Sequence, residues 1–220
     1  MSSSSELLER LNPRQLEAVT HTGGPCLVLA GAGSGKTRVI THRIAWLIRE
    51  AGIPPAAICA VTFTNRAAGE MRERVYALLG EAPEALWVLT FHALGLRILR
   101  DAAGRKGAPR PGFAIYDRND AIGVWREAQK EARIDVGEHP PQQLFEACSR
   151  AVNRLEDPAG WDRPGQPYEQ RLAARVYEGY RSRLRERNAV DFDDLLLLPL
   201  RLLGSDEQVR AAVHRRFRHF

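Results

Sequence analysis

Residues 25–37 read PCLVLAGAGSGKT, an apolar hexapeptide running into a glycine-rich octet. The apolar part, residues 25–30, is short and ends in glycines, which predicts a buried strand. From Gly35 to Glu50 the apolar residues Ile40, Ile44, Leu47 and Ile48 recur at helical spacing. Strand, loop and helix in that order are the context a phosphate-binding loop requires. In Ala30, Gly31, Ala32, Gly33, Ser34, Gly35, Lys36 and Thr37 the glycines let the chain curl until backbone N–H groups face phosphate oxygens. The helix start adds its positive dipole end. Lys36 then reaches the β- and γ-phosphates, and the Thr37 hydroxyl holds Mg²⁺. The strict pattern asks for glycine at the first position, where this chain has Ala30. Such an octet predicts a nucleoside triphosphate with Mg²⁺, yet does not choose among kinases, GTPases, transporters and motors. A GTPase-like string, Asp162-Arg163-Pro164-Gly165, follows no strand, and no guanine-reading NKxD accompanies it. It reads as a loop.

Outward from the octet, strands and helices alternate. Residues 57–63 (AICAVTF) predict a second buried strand, after which Thr64 or Asn65 can cap a helix striped with Ala68, Met71, Val75, Leu78 and Leu79. Residues 86–91 (LWVLTF) predict a third strand, and Leu94 to Leu99 continue as helix. This alternation argues for an α/β fold with a parallel, doubly wound sheet.

Beyond a basic, Gly- and Pro-rich link at residues 103–112, the pattern turns helical. Asp117 can cap a helix carrying Ala121, Ile122, Trp125 and Ala128, and residues 142–155 repeat the spacing with Leu144, Cys148, Ala151, Val152 and Leu155. After a loop at 157–167 comes a long helix with Leu172, Val176, Tyr180 and Leu184, then two more helices at 191–203 and 206–217. The expected organisation is an α/β domain begun by residues 1–103, an inserted helical subdomain at 104–188, and a return to the α/β layer at 189–220. Asp191, Asp193 and Asp194 suggest a metal site as a string, but acids in a first helical turn serve capping and dipole complementarity.

Composition sets outer bounds. The chain has 220 residues, 44% hydrophobic and 27% charged, as in ordinary globular proteins. No apolar run approaches the roughly 20 residues that span a bilayer, and Met1 to Ser5 lead into a charged helix rather than a secretory core. Cys26, Cys59 and Cys148 are odd in number and far apart, which argues against a disulfide framework or zinc cluster. Their apolar settings predict buried, reduced thiols and a cytoplasmic location. A net charge of +5 and a pI near 9.4 permit a polyanionic partner.

Five ordered segments narrow the choice. Leu11-Asn12-Pro13-Arg14-Gln15 precedes the octet; residues 60–68 (AVTFTNRAA) follow the second strand; and Thr90-Phe91-His92 follow the third. With the octet and Val190-Asp191-Phe192-Asp193-Asp194-Leu195-Leu196, these resemble the start of superfamily 1 helicases of the UvrD/PcrA/Rep kind. The resemblance runs over almost the whole chain and includes Phe113-Ala114-Ile115-Tyr116-Asp117. It implies a RecA-like sheet, a 3′-to-5′ DNA helicase driven by ATP and Mg²⁺, a role in DNA repair, and single-stranded or partly duplex DNA as partner. Gln15 resembles the glutamine that reads the adenine edge, where an amide can pair with N6 and N7 together; alone it would read as a surface helix residue. Arg38 matches an arginine beside the nucleotide, or else is a solvated helix charge.

Phe63, Thr64 and Asn65 match a first single-strand contact segment, with Arg66 adding charge. An aromatic at a strand end can stack on a base, at about 1–3 kcal/mol per base whatever the sequence. By composition alone Phe63 reads as core. Thr90, Phe91 and His92 match a second contact segment, although a histidine there also caps or packs.

In the family a paired acid motif, DE followed by Gln-Asp, comes after a strand that these residues do not reach. The second motor domain and its arginine fingers are also outside them. Hydrolysis needs positioned magnesium, an oriented water and neutralised charge, so the 220 residues alone are expected to bind nucleotide without turning it over. Alternatives are the helicase arm of a helicase-nuclease, a non-catalytic single-strand-binding module with a vestigial nucleotide fold, and a small-molecule kinase with a helical lid. The last leaves the Phe63 and Phe91 segments unexplained.

Overall fold

The computed structural model describes residues 4–9, 11–135 and 138–220. The expectation for Met1 to Ser3 lies outside them. The chain divides into two compact units, Met1–Phe91 with Ala211–Phe220, and His92–Arg210. Among the described residues it is a mixed helix/strand fold with two short parallel sheets.

In the first unit, α1 (Ser4–Glu9) and α2 (Pro13–Thr20) precede the glycine-rich loop, and α3 (Lys36–Arg49) follows it. Asn12 caps α2 reciprocally with Gln15, and Pro13 occupies the position where its missing N–H costs nothing. The α3 face bearing Val39, Ile44, Ala45 and Leu47 is buried. Ile40, which the spacing put on that stripe, is 43% exposed. Arg43 ties the two helices together by donating to the Ala18 and Val19 carbonyls at the end of α2.

β1 (Cys59–Thr62), α4 (Asn65–Leu79) and β2 (Trp87–Thr90) form a parallel crossover unit. Its register aligns Cys59 with Trp87 and Thr62 with Thr90, so both strands end at one level. Ala68, Met71, Val75 and Leu79 bury the inner face of α4. Thr64 is the N-cap, and Gly80 closes the helix in a left-handed conformation, φ 77°. On its other edge β1 meets the chain again through a parallel bridge between Ile58 and His219.

Residues 25–30 depart from expectation. They pair with no strand among the described residues, and Leu27 and Leu29 are 83% and 86% exposed. An apolar run is held as a buried strand only when its edges are paired and its faces covered. Here a cavity of about 390 Å³, lined by Cys26, Val28, Ile44, Ile58, Val61 and Phe220 among others, lies beside the segment. Cys26 is accordingly exposed rather than buried, whereas Cys59 and Cys148 are buried.

The second unit is mostly helical: α5 (Phe91–Asp101), which begins at the boundary, α6 (Arg118–Glu131), α7 (Pro141–Val152), α8 (Tyr168–Glu186), α9 (Asp194–Ser205) and α10 (Glu207–Arg216), whose end returns to the first unit. A parallel pair, β3 (Ala114–Ile115) and β4 (Ala189–Val190), brackets the bundle. Asp117 caps α6 as expected, with its carboxylate accepting from Asn119 and Asp120. Trp125, Leu144, Cys148, Leu172, Val176, Tyr180 and Leu184 are buried in one core. A large apolar side chain buried this way contributes about 1.5–3 kcal/mol. Leu155 does not join them. α7 stops at Val152, and Leu155 turns left-handed (φ 61°) and is 67% exposed.

Candidate functional site

The glycine-rich loop is built by backbone geometry. Gly33 (φ 75°) and Gly35 (φ 88°) are left-handed, a conformation that costs a side-chain-bearing residue about 1–2 kcal/mol. Gly35 is the N-cap of α3, so the unpaired N–H groups of the first helical turn face the loop. A Cβ on Gly35 would also lie 2.8 Å from Gln15 Nε2.

Gln15 is thereby brought to the loop. Its Nε2 donates to the Ser34 carbonyl at 3.1 Å, and its Oε1 accepts from the Asn12 N–H at 3.1 Å. Ser34 Oγ donates to the Gly31 carbonyl at 2.7 Å. Lys36 Nζ folds over the loop and donates to the carbonyls of Ala30 (3.0 Å) and Gly31 (2.6 Å). Ammonium, loop carbonyls and helix start therefore share one small volume. Ala32, Thr37 and Arg38 are exposed around it. The donor set fits a triphosphate with Mg²⁺: a lysine, first-turn N–H groups and an exposed threonine hydroxyl.

A second cluster lies where β1 and β2 end. Because their last residues are in register, the next residues, Phe63 and Phe91, come side by side, with ring centroids 5.6 Å apart and planes tilted by 48°. Phe63 is 85% exposed and Phe91 42%. Two adjoining exposed aromatics at paired strand ends form an apolar platform in a way that scattered ones do not. Asn65 and Arg66 are exposed beside Phe63, and Arg66 pairs with Glu70 one helical turn on. The Thr64 hydroxyl accepts the Ala67 N–H at 3.1 Å as the cap of α4. Thr90, by contrast, is buried, 6% exposed.

Within the second unit, His92 stands against Phe192, ring centroids 5.8 Å apart, and Phe192 is 53% exposed. Phe192 is not among the candidate site residues that the sequence singles out. Its signal was an aromatic set between acids just after an apolar pair, where the side chain that looks like core turns outward. A concavity of about 330 Å³ opens beside it, lined by Tyr116, Arg118, Ser149 and Asp193 among others.

Beneath Phe192 lies a buried polar network. Asp191 and Asp194 cap each other: Asp191 Oδ1 accepts the Asp194 N–H at 2.8 Å, and Asp194 Oδ2 accepts the Asp191 N–H at 3.3 Å. From α8, Tyr180 Oη donates to Asp191 at 2.6 Å and Arg181 Nη1 to Asp194 at 2.6 Å. Burial pushes the Asp194 carboxyl up to about 6; the neighbouring Asp191 adds to this, and Arg181 opposes it. Burial likewise raises Asp193. Capping was the expected role of these acids, and the burial and the α8 partners are the structure's addition.

Residues 11–220 match the family described as UvrD/REP helicase N-terminal domain. Among curated proteins, the chain is 42% identical over 222 aligned positions to the ATP-dependent DNA helicase UvrD1 of Mycobacterium tuberculosis (strain ATCC 25618 / H37Rv), covering 99% of this chain. It is 41% identical over 213 positions to the ATP-dependent DNA helicase PcrA of Staphylococcus aureus (strain NCTC 8325 / PS 47), covering 97% of this chain. The chain spans 29% of the length of each of these relatives.

Proposed function

Since the chain belongs to the UvrD/REP helicase N-terminal domain family, we propose that it is the ATP-binding, single-strand-contacting part of an ATP-dependent 3′-to-5′ DNA helicase. The observation that carries this reading is the pairing, in one unit, of a lysine-bearing glycine loop at a helix start with an exposed aromatic platform at adjoining strand ends. On this reading residues 1–103 and 189–220 contribute to a RecA-like motor domain, and residues 104–188 are a helical insertion. The protein works in the cytoplasm.

Each residue has a chemical part. The N–H groups at the start of α3 and the Lys36 ammonium bind the β- and γ-phosphates, and Lys36 exchanges its two carbonyl acceptors for phosphate oxygens. Thr37 offers its hydroxyl to Mg²⁺, which supplies charge neutralisation when bound. Gln15, already fixed on Ser34, orients toward the adenine side, and Arg38 lies within reach of the same ligand. Phe63 and Phe91 stack on bases, while Thr64, Asn65 and Arg66 hold the backbone, a sequence-tolerant grip suited to translocation. Within the second unit, His92 and Phe192 form a further proposed stacking contact.

These 220 residues bind nucleotide without appreciable turnover, because neutralising and water-orienting groups beyond lysine and threonine are needed for hydrolysis. The test is direct. A fluorescent ATP analogue should bind in the presence of Mg²⁺, and Lys36→Ala should weaken it at least about tenfold, a charge-assisted contact of roughly 1.5–3 kcal/mol. Phe63→Ala should weaken single-stranded DNA about five- to hundredfold and leave the melting temperature unchanged. Robust DNA-stimulated ATP turnover by this chain would overturn the binding-only part, and indifference of DNA affinity to Phe63 would overturn the platform.

A further inference from the structure

α9 carries a proline in its interior, Pro199. Proline has no N–H, so the carbonyl four residues earlier, that of Leu195, loses its helical donor. The oxygen is left in a buried place, since Leu195 is only 4% exposed and Pro199 is buried. A buried carbonyl without a donor costs free energy unless something polar approaches it.

What approaches is Gly95 of α5. A Cβ built on Gly95 would lie 1.7 Å from the Leu195 oxygen, 2.9 Å from its carbonyl carbon and 3.2 Å from Pro199 Cγ. No side chain fits there. The bare Cα of glycine brings its hydrogens onto the oxygen, a weak C–H···O contact of the sort found where helices meet closely. Proline on one helix thus exposes an acceptor, and glycine on the other makes room for it.

The crossing has a consequence three residues back along both segments, within α5 on one side and in the turn that leads into α9 on the other. His92 precedes Gly95 by three, and Phe192 precedes Leu195 by three. The ring contact between His92 and Phe192 therefore sits one turn from the point where the backbones touch. We infer that Gly95, with Pro199, is a positioning residue for single-strand binding: the glycine–carbonyl contact sets the distance between α5 and α9 that places the His92 and Phe192 rings as one stacking surface. The Asp191–Asp194 box fixes the second half by holding the turn that carries Phe192. This inference rests on the reading of His92 and Phe192 as nucleic-acid contacts.

The experiment uses the whole chain and three readouts. Gly95→Ala forces the backbones apart, since the added carbon would meet main chain rather than a flexible side chain. Affinity for a fluorescein-labelled oligothymidylate should fall about five- to hundredfold, as it should for Phe192→Ala, while ATP-analogue binding stays the same. In the Phe192→Ala background, Gly95→Ala should cause no further loss. Without DNA, the His92 imidazole proton resonances should move toward free-histidine positions when the Phe192 ring withdraws. Pro199→Ala provides a gentler version: it returns a donor to Leu195, keeps helix content, and should weaken DNA binding a fewfold.

If Phe192→Ala and His92→Ala leave DNA binding intact while Gly95→Ala still moves the imidazole resonances, the contact reading fails and the positioning geometry survives. If those two variants weaken DNA but Gly95→Ala and Pro199→Ala change neither affinity nor resonances, the inference is overturned. An equal additional loss in the Phe192→Ala background also overturns it, because glycine would then act on general stability.

Discussion

The two units place their polar chemistry in opposite ways. In the first unit, Lys36, Thr37 and Arg38 at the glycine loop and Asn65 and Arg66 at the strand ends stand at the surface, and the shape is held by backbone: two left-handed glycines, a helix start and a parallel register. In the second unit one charge cluster is inside. Arg181 and Asp194 pair with side chains 16% and 2% exposed, and Tyr180 reaches Asp191 from the same core. An exposed ligand group costs little stability and is ready to exchange partners. A buried one must keep its partner, because an ion left alone in the interior is penalised by several kcal/mol. The first unit should therefore lose binding before fold when its charges are altered, and the second fold before binding.

The most severe way to break that contrast is Arg181→Met. Asp194 is left buried without its cation, and unfolding free energy of the second unit should fall by about 3–5 kcal/mol. Denaturant titration followed by Trp125 and Trp161 fluorescence measures the loss, and ATP-analogue binding at the glycine loop gives the control. If both fall together, the units are not independent in stability and the contrast is wrong. The loss should be smaller at pH 5 than at pH 7.5, since a proton on Asp194 replaces the missing charge.

A smaller effect follows from pH in the unaltered chain. Burial raises Asp194 from 3.8 to about 6. Between those values the folded state keeps a proton that the unfolded state has released. Stability of the second unit is fully present below about pH 4 and declines as pH rises through 6, by at most about 3 kcal/mol from this group. Asp193, also raised by burial, acts in the same direction. Asp194→Asn should flatten the slope whatever it does to the baseline; an unchanged slope would remove Asp194 from the account.

What the sequence made legible differs between the units for the same physical reason. Periodicity reports burial along one element, so α4, α6 and α8 were readable from Val75, Trp125 and Tyr180 and their neighbours. It does not report whether an element finds a partner. Residues 25–30 have a strand's composition and lack a paired neighbour among the described residues, so Cys26 and Leu27 lie open. Leu155 fell off its stripe because α7 ended one turn early, which no apolar spacing announces. The glycine loop was legible because left-handed glycines and a helix start are local properties. Phe192 and the Arg181–Asp194 pair were not, since their meaning comes from contacts with other elements, α5 and α8.

Thr64→Val sharpens the comparison at its finest grain. Thr64 caps α4 by accepting the Ala67 N–H, and on the proposed reading it also holds single-stranded DNA. These roles do not compete. A hydroxyl accepts through its lone pairs and donates through its hydrogen, so one oxygen can hold the helix while its proton points to a phosphate. Valine keeps the shape and removes both. The cap should be worth about 1 kcal/mol to the stability of the first unit, and the donated hydrogen about 0.5–1.5 kcal/mol to DNA affinity. Thr64→Ser retains a hydroxyl and should restore both. If valine lowers the melting temperature but leaves DNA affinity at the wild-type value, the hydroxyl serves only the helix, and this residue belongs with the inward-facing chemistry of the second unit.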